Sequence, residues 1–212
     1  MHNATKYGVL LAVLAMFAIP STGMTQPATG KVSVDLRGGV AIPAGNLDTY
    51  TAIGWNAGAS ALWNWNPNWG FRVDFDWMRL NKSEDDFGVL LSPPQNLMFL
   101  GGSFEVNFNP PKYQTMGFTF MLNAGAGAMK MTVDDTYDAG SSANTFDHTY
   151  PAFQGGAKIG YQVAPWINIF VNGTAYFILM DAADTSPAFG EAFNNGWVIP
   201  VTAGVRLSFL EW

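Results

Sequence analysis

From Lys31 almost to the C-terminus, apolar and polar residues alternate with a period of two, and the alternation falls into eight segments. Neighbouring side chains on a strand point to opposite faces, whereas a helix repeats near 3.6 residues, so this pattern reads as strands between two different surroundings. The apolar frames run over Val32–Leu36, Trp55–Trp65, Phe71–Trp77, Leu100–Phe108, Phe118–Ala124, Phe153–Val163, Ile169–Leu179 and Val201–Phe209. The opposing frames carry Ser33, Asp35 and Arg37, then Asn56, Ser60 and Asn64, then Arg72, Asp74 and Asp76, and so on to Thr202, Arg206 and Ser208.

The connections add a second constraint. Asn66-Pro67-Asn68, Asn109-Pro110-Pro111 and Ala164-Pro165 are short breaks, while 42–53, 81–96, 133–150 and 181–195 are longer polar stretches. Long and short alternate along the chain, which in an up-and-down meander puts every long loop at one end and every tight turn at the other. The expected fold is an all-β, eight-stranded antiparallel up-and-down barrel over 31–212, with both termini on the tight-turn side.

Periodicity alone does not say which face points outward. Only 12% of the residues are charged, about half the usual share for a soluble domain, and 15% are aromatic. The polar frame is mostly Asn, Ser, Thr, Gln and Gly, which suits a packed interior better than a water-facing exterior. Trp63, Trp65, Trp69 and Trp166 lie beside the tight turns, and Trp55, Trp77 and Trp197 lie toward the long loops. Two aromatic bands are what strands crossing two lipid–water boundaries carry, because indole is apolar with one polar handle. A closed barrel also pairs every backbone group where water is missing. These features predict a transmembrane barrel with its apolar face outward; a soluble lipocalin-like carrier is the inverted alternative.

At the N-terminus, Lys6, the apolar run 7–19 and the small residues Ser21 and Gly23 have the order of a secretory signal peptide, 1–23, with cleavage after Gly23 or Ala28. The run is too short to cross a bilayer comfortably. A sequence pI of 4.6 gives no basic footprint for nucleic acid. With no cysteine there is no disulfide framework or thiolate metal site.

The run Gly38-Gly39-Val40-Ala41-Ile42-Pro43-Ala44-Gly45-Asn46-Leu47, the segment Ala124-Gly125-Ala126-Gly127 and the closing Gly204-Val205-Arg206-Leu207-Ser208-Phe209 resemble small outer-membrane barrel proteins of the OmpA-like transmembrane type. The resemblance implies a Gram-negative outer membrane, with long loops extracellular and termini periplasmic. It also implies insertion by the barrel-assembly machinery, which in such proteins recognises a final aromatic strand. Here Trp212 is out of phase with the frame that ends at Phe209. Expected partners are outer-membrane lipid and lipopolysaccharide, and the expected state is a monomer.

Eight charges fall on the inward frame: Asp35, Arg37, Arg72, Asp74, Asp76, Glu105, Lys158 and Arg206. Acids and bases balance, and unpaired ions in a narrow lumen would cost several kcal/mol, so an ion-pair network is expected, with the arginines forking to carboxylates of neighbouring strands. Inward glycines at 58, 101, 125, 156 and 160 leave room for small water pockets, and Ser60→Arg is expected to be tolerated better than Val73→Arg if the lumen holds water. His148, placed in the third long loop beside Asp147, lacks the His-x-Ser pairing of lipid A deacylases. The acidic groups Glu84, Asp85, Asp86 and Asp134, Asp135, Asp138 lack the spacing of a calcium loop. No cofactor and no catalysis are therefore expected. The sequence reads as an envelope barrel of structural role with a narrow passive conduit as its transport aspect. Surface-loop adhesion and lipid modification remain the alternatives.

Overall fold

The computed structural model describes residues 32–45, 47–48, 51–65, 68–84, 90–92, 94–108, 116–133, 147–164, 166–180 and 195–209. The leader, Asp85, Asp86, Asp134, Asp135, Asp138, the prolines at 67, 110, 111 and 165, and the closing Leu210 and Trp212 lie outside these residues. The strands are β1 (Val32–Gly45), β2 (Thr51–Asn64), β3 (Trp69–Glu84), β4 (Leu90–Ser92), β5 (Gln95–Asn107), β6 (Gly117–Val133), β7 (Asp147–Ala164), β8 (Ile167–Ile178) and β9 (Gly196–Phe209). Each long strand pairs antiparallel with its neighbours, and β1 pairs with β9, so the sheet closes into an eight-stranded barrel. The seam sets Leu36 against Val205 and Asp35 against Arg206. The three-residue β4 stands outside this ring, pairing with the end of β3.

The strands extend beyond the boundaries expected from polarity. β1 runs to Gly45, β2 starts at Thr51, β3 reaches Glu84, and β7 starts at Asp147 inside the stretch read as the third long loop. Backbone pairing does not require alternation, so a strand continues past the point where its side chains lose contrast. The β8–β9 ladder keeps its register but has no pair between Gly173–Val201 and Tyr176–Val198. Pro200, with no N–H to donate, lies in that gap.

The surface is inverted relative to a protein folded for water. Large apolar side chains from Leu179 at 36% to Leu100 at 61% are exposed, including Val73, Phe75 and all seven strand-end tryptophans. Arg72, Asp74, Asp76, Lys158 and Arg206 are buried instead. Trp55 and Trp63 on β2, like Trp69 and Trp77 on β3, are eight residues apart on the outward face. At ~3.4 Å per residue that is about 27 Å along the strand. Tilted by ~40°, it spans roughly 21 Å of height, close to the apolar band of a membrane barrel. Each band is tied by edge-on contacts, Trp55 with Trp77 at 4.8 Å and Trp65 with Phe104 at 6.2 Å between ring centres.

Candidate functional site

The inward face is divided into two unlike layers. Toward the tight turns and mid-height it is mainly polar and ionic, with Leu62, Met121 and Phe170 buried among the polar groups. At the long-loop end it is mainly apolar, with Gln95 and Thr51 as buried polar members: Ala41, Leu47, Met78, Leu80, Leu97, Phe99, Met129, Met131, Tyr150, Ala152, Tyr176, Ile178 and Val198 form one buried cluster. This corrects the expectation of a lumen that is polar throughout. Met78 and Leu80 continue the frame of Asp74 and Asp76, as Leu97 and Phe99 continue that of Ser103 and Glu105. An inward position near the mouth need not be polar, because it can be buried among other apolar side chains from facing strands.

In the ionic layer Asp74 is the most heavily used acceptor. Arg72 donates to its Oδ1 from Nε at 2.8 Å and from Nη2 at 2.5 Å. Ser60 Oγ donates to the same oxygen at 2.6 Å, and Ser103 Oγ and Gln154 Nε2 each donate to Oδ2 at 2.8 Å. Glu105 is a second centre. It accepts from Arg72 Nη1 at 3.0 Å, from Lys158 Nζ at 3.3 Å and from Arg206 Nη2 at 3.0 Å. Arg206 also forks onto Asp35 from Nε at 2.7 Å and Nη2 at 2.9 Å. Lys158 crosses the lumen from β7 to Asp35 on β1 at 2.5 Å, and its ammonium lies 4.5 Å from the centre of the Phe170 ring. Arg72 therefore joins the Asp74 group to the Glu105 group.

Arg37 shows how the backbone permits this network. It donates from Nε to Asp76 Oδ1 at 3.0 Å and contacts Asp76 Oδ2 and Ser60 Oγ through its terminal nitrogens. Arg37 and Asp76 are two strands apart, with Gly58 of β2 registered between them. A methyl group at Gly58 would collide with Asp76 Oδ1. Pairing is thus not confined to neighbouring strands, and Arg72 pairs partly within its own strand. Asp76 also accepts from Tyr176 Oη at 2.5 Å, and the Tyr176 ring lies 4.7 Å from that of Phe99. Tyr176 joins the two layers, with its ring in the apolar one and its hydroxyl in the ionic one.

Two further expectations need correction. The inward glycines leave no free pockets: besides Gly58, a methyl at Gly156 would meet Asn123 Oδ1 at 2.8 Å, and one at Gly160 would collide with Asn168 Oδ1. Polar side chains lean over Gly58, Gly156 and Gly160, the Phe99 ring covers Gly101, and the neighbouring strand backbone closes on Gly125. Ser60 is 4% exposed and bonded to both Arg37 and Asp74, so Ser60→Arg meets a filled, charged layer and loses its expected tolerance. Some hydrogen-bonding capacity remains unspent, since Asn123 Nδ2, Asn168 Oδ1 and Asn172 Oδ1 have no protein partner among the described residues.

His148 lies on β7, not in a loop, and its ring stacks on Tyr150 with centres 6.0 Å apart. Lys130 and Asp147 pair at 3.0 Å on the exposed rim. No cluster of three or more potential metal ligands occurs among the described residues.

Trp55, Trp63, Trp65, Trp69, Trp77, Trp166 and Trp197 are all exposed on the outer face. Sequence reasoning missed Tyr176 and the apolar layer. The signal was phase, because Tyr176 shares the frame of Asn172 and Thr174.

No protein-family model and no curated protein matches the chain. Among solved structures it is similar to Neisserial surface protein A, with 18% identity, a TM-score of 0.58, and coverage of 84% of this chain and 97% of that one. It is also similar to OprG from Pseudomonas aeruginosa, with 11% identity, a TM-score of 0.53, and coverage of 87% and 99%. A major outer membrane protein from Thermus thermophilus aligns with 10% identity, a TM-score of 0.50, and coverage of 84% and 99%. The shared feature is the fold, that of a small transmembrane β-barrel.

Proposed function

We propose that the protein is a non-enzymatic, integral outer-membrane barrel whose role is structural, with a lumen closed in its resting state. The observation that carries this reading is the inversion itself, with Val73 and Phe75 exposed between buried Arg72, Asp74 and Asp76. An exterior this apolar is unfavourable in water over so large and continuous an area. Hydrocarbon removes that cost, and closure leaves no unpaired strand edge within it. Outer-membrane lipid and lipopolysaccharide are then the natural surroundings of the belt, with the long loops outside and the tight turns in the periplasm. Export by the leader and insertion by the barrel-assembly machinery complete this reading.

A filled lumen favours scaffold over conduit. Eight strands leave an interior just wide enough for side chains, and here the ionic and apolar layers lie in series. The test combines fractionation, gel mobility and conductance. The protein is expected in the outer-membrane fraction, to migrate faster unboiled than boiled, and to give no stepwise conductance in planar bilayers. Recovery from the periplasm without detergent, with no heat-dependent mobility, contradicts the membrane reading. Regular conductance steps from the folded protein contradict the closed lumen.

A further inference from the structure

Leu47 belongs to a turn, not to a strand, yet it is completely buried in the apolar layer. The chain leaves β1 through Gly45, whose φ of +65° lies in the left-handed region where glycine carries no steric penalty. The Leu47 carbonyl then accepts two hydrogen bonds from Thr51, from the backbone N–H at 3.0 Å and from Oγ1 at 2.7 Å. Asp48, the next residue, is exposed. One turn thus directs a single apolar side chain inward while its neighbour faces out.

The seat is shaped for this side chain. Gly196, opposite Gly45 at the top of β9, is buried without a side chain of its own. A methyl there would lie 2.7 Å from Leu47 Cδ1, 2.8 Å from Leu47 Cγ and 2.9 Å from Met180 Cε. Ile178, the strand partner of Gly196 on β8, is completely buried in the same cluster. Met180, partly buried, packs against that cluster.

We propose that Leu47 is a stopper of the apolar layer, held in the Gly196 seat by Thr51, and that its withdrawal admits solvent to the packed side chains around it. The side chain is anchored by its own burial and by hydrogen bonds to one carbonyl, whereas the walls are anchored by continuous ladders. Among the described residues of this layer, Leu47 can therefore withdraw without breaking a strand ladder. The inference rests on the barrel fold and not on the choice between scaffold and conduit.

The chain has no cysteine, so single reporters label without background. Ile178→Cys reports on the apolar layer and Thr119→Cys on the tight-turn half, each in the full protein folded in lipid nanodiscs and treated with a small maleimide. Leu47→Ser is expected to accelerate labelling of the Ile178→Cys reporter by about ten-fold or more, the scale set by losing one buried leucine. It should leave the Thr119→Cys reporter unchanged, and Leu47→Met should restore protection.

Gly196→Ala, which displaces Leu47 without altering it, is expected to act in the same direction and serves if Leu47→Ser does not fold. Unchanged labelling at Ile178→Cys overturns the proposal. So does equal acceleration of both reporters, because that signals general loosening. Heat-dependent gel mobility of each variant tests the membrane barrel separately, so failure of the stopper and failure of the proposed function give different results.

Discussion

Arg72→Leu is expected to lower the stability of the folded barrel by about 3–5 kcal/mol, the scale for removing one partner of a buried ion pair. The guanidinium is 1% exposed and holds Asp74 and Glu105 together, so its loss leaves two buried carboxylates short of counter-charge. Ser60, Ser103 and Gln154 still donate to Asp74, and Lys158 and Arg206 still reach Glu105. The network is weakened and not erased, which sets the upper bound. Reversible urea unfolding in lipid vesicles measures the change. Adding Glu105→Gln to Arg72→Leu should recover part of the loss, because it removes one of the uncompensated charges. A single substitution costing less than ~1 kcal/mol, the level of an exposed pair, would show that water screens the ionic layer.

The second large effect is expected on the opposite face of the same strand. Val73→Arg should destabilise the barrel by about 2–4 kcal/mol, the range for a cation near the bilayer midplane. Val73 lies midway between Trp69 and Trp77 on β3 and is exposed outward. Its nearest escape to a headgroup is therefore as long as the belt allows. The same substitution at Trp77, beside the interface, should cost less. In detergent micelles, which deform around a charge, the difference between the two sites should shrink. Equal cost at both positions in vesicles would mean that the belt between the two tryptophan bands does not sit across the membrane.

The eight-strand count, the closure and the orientation of nearly every side chain were legible in the sequence because the two surroundings differ so strongly. Alternation such as Phe71-Arg72-Val73-Asp74-Phe75-Asp76-Trp77 leaves one solution for β3 once hydrocarbon is placed on the apolar side. Strand ends were less legible. Met78 and Leu80 share an inward frame with Asp76, and where both faces are buried or apolar the contrast that marks a strand disappears. Tyr150 and His148 were read into a loop for the same reason.

The charged residues of the lumen could be named, but their partners could not. Pairing depends on registers such as Arg37–Gly58–Asp76, and a register is set by closure of the whole sheet. Leu47 lay beyond any periodic argument, since its burial depends on how a turn folds over the mouth.

The central claim is that odd and even positions of each strand meet different media. The most direct measurement is a nitroxide scan of positions 71–77 on β3, one introduced cysteine at a time, in lipid vesicles. Collision with oxygen, which concentrates in hydrocarbon, is recorded against collision with a water-soluble nickel complex. Labels at Phe71, Val73, Phe75 and Trp77 are expected to collide freely with oxygen. Labels at Arg72, Asp74 and Asp76 should be shielded from both reagents, giving a period of two along the strand. Oxygen collisions that peak at 72, 74 and 76, or that show no two-residue period, would contradict the account.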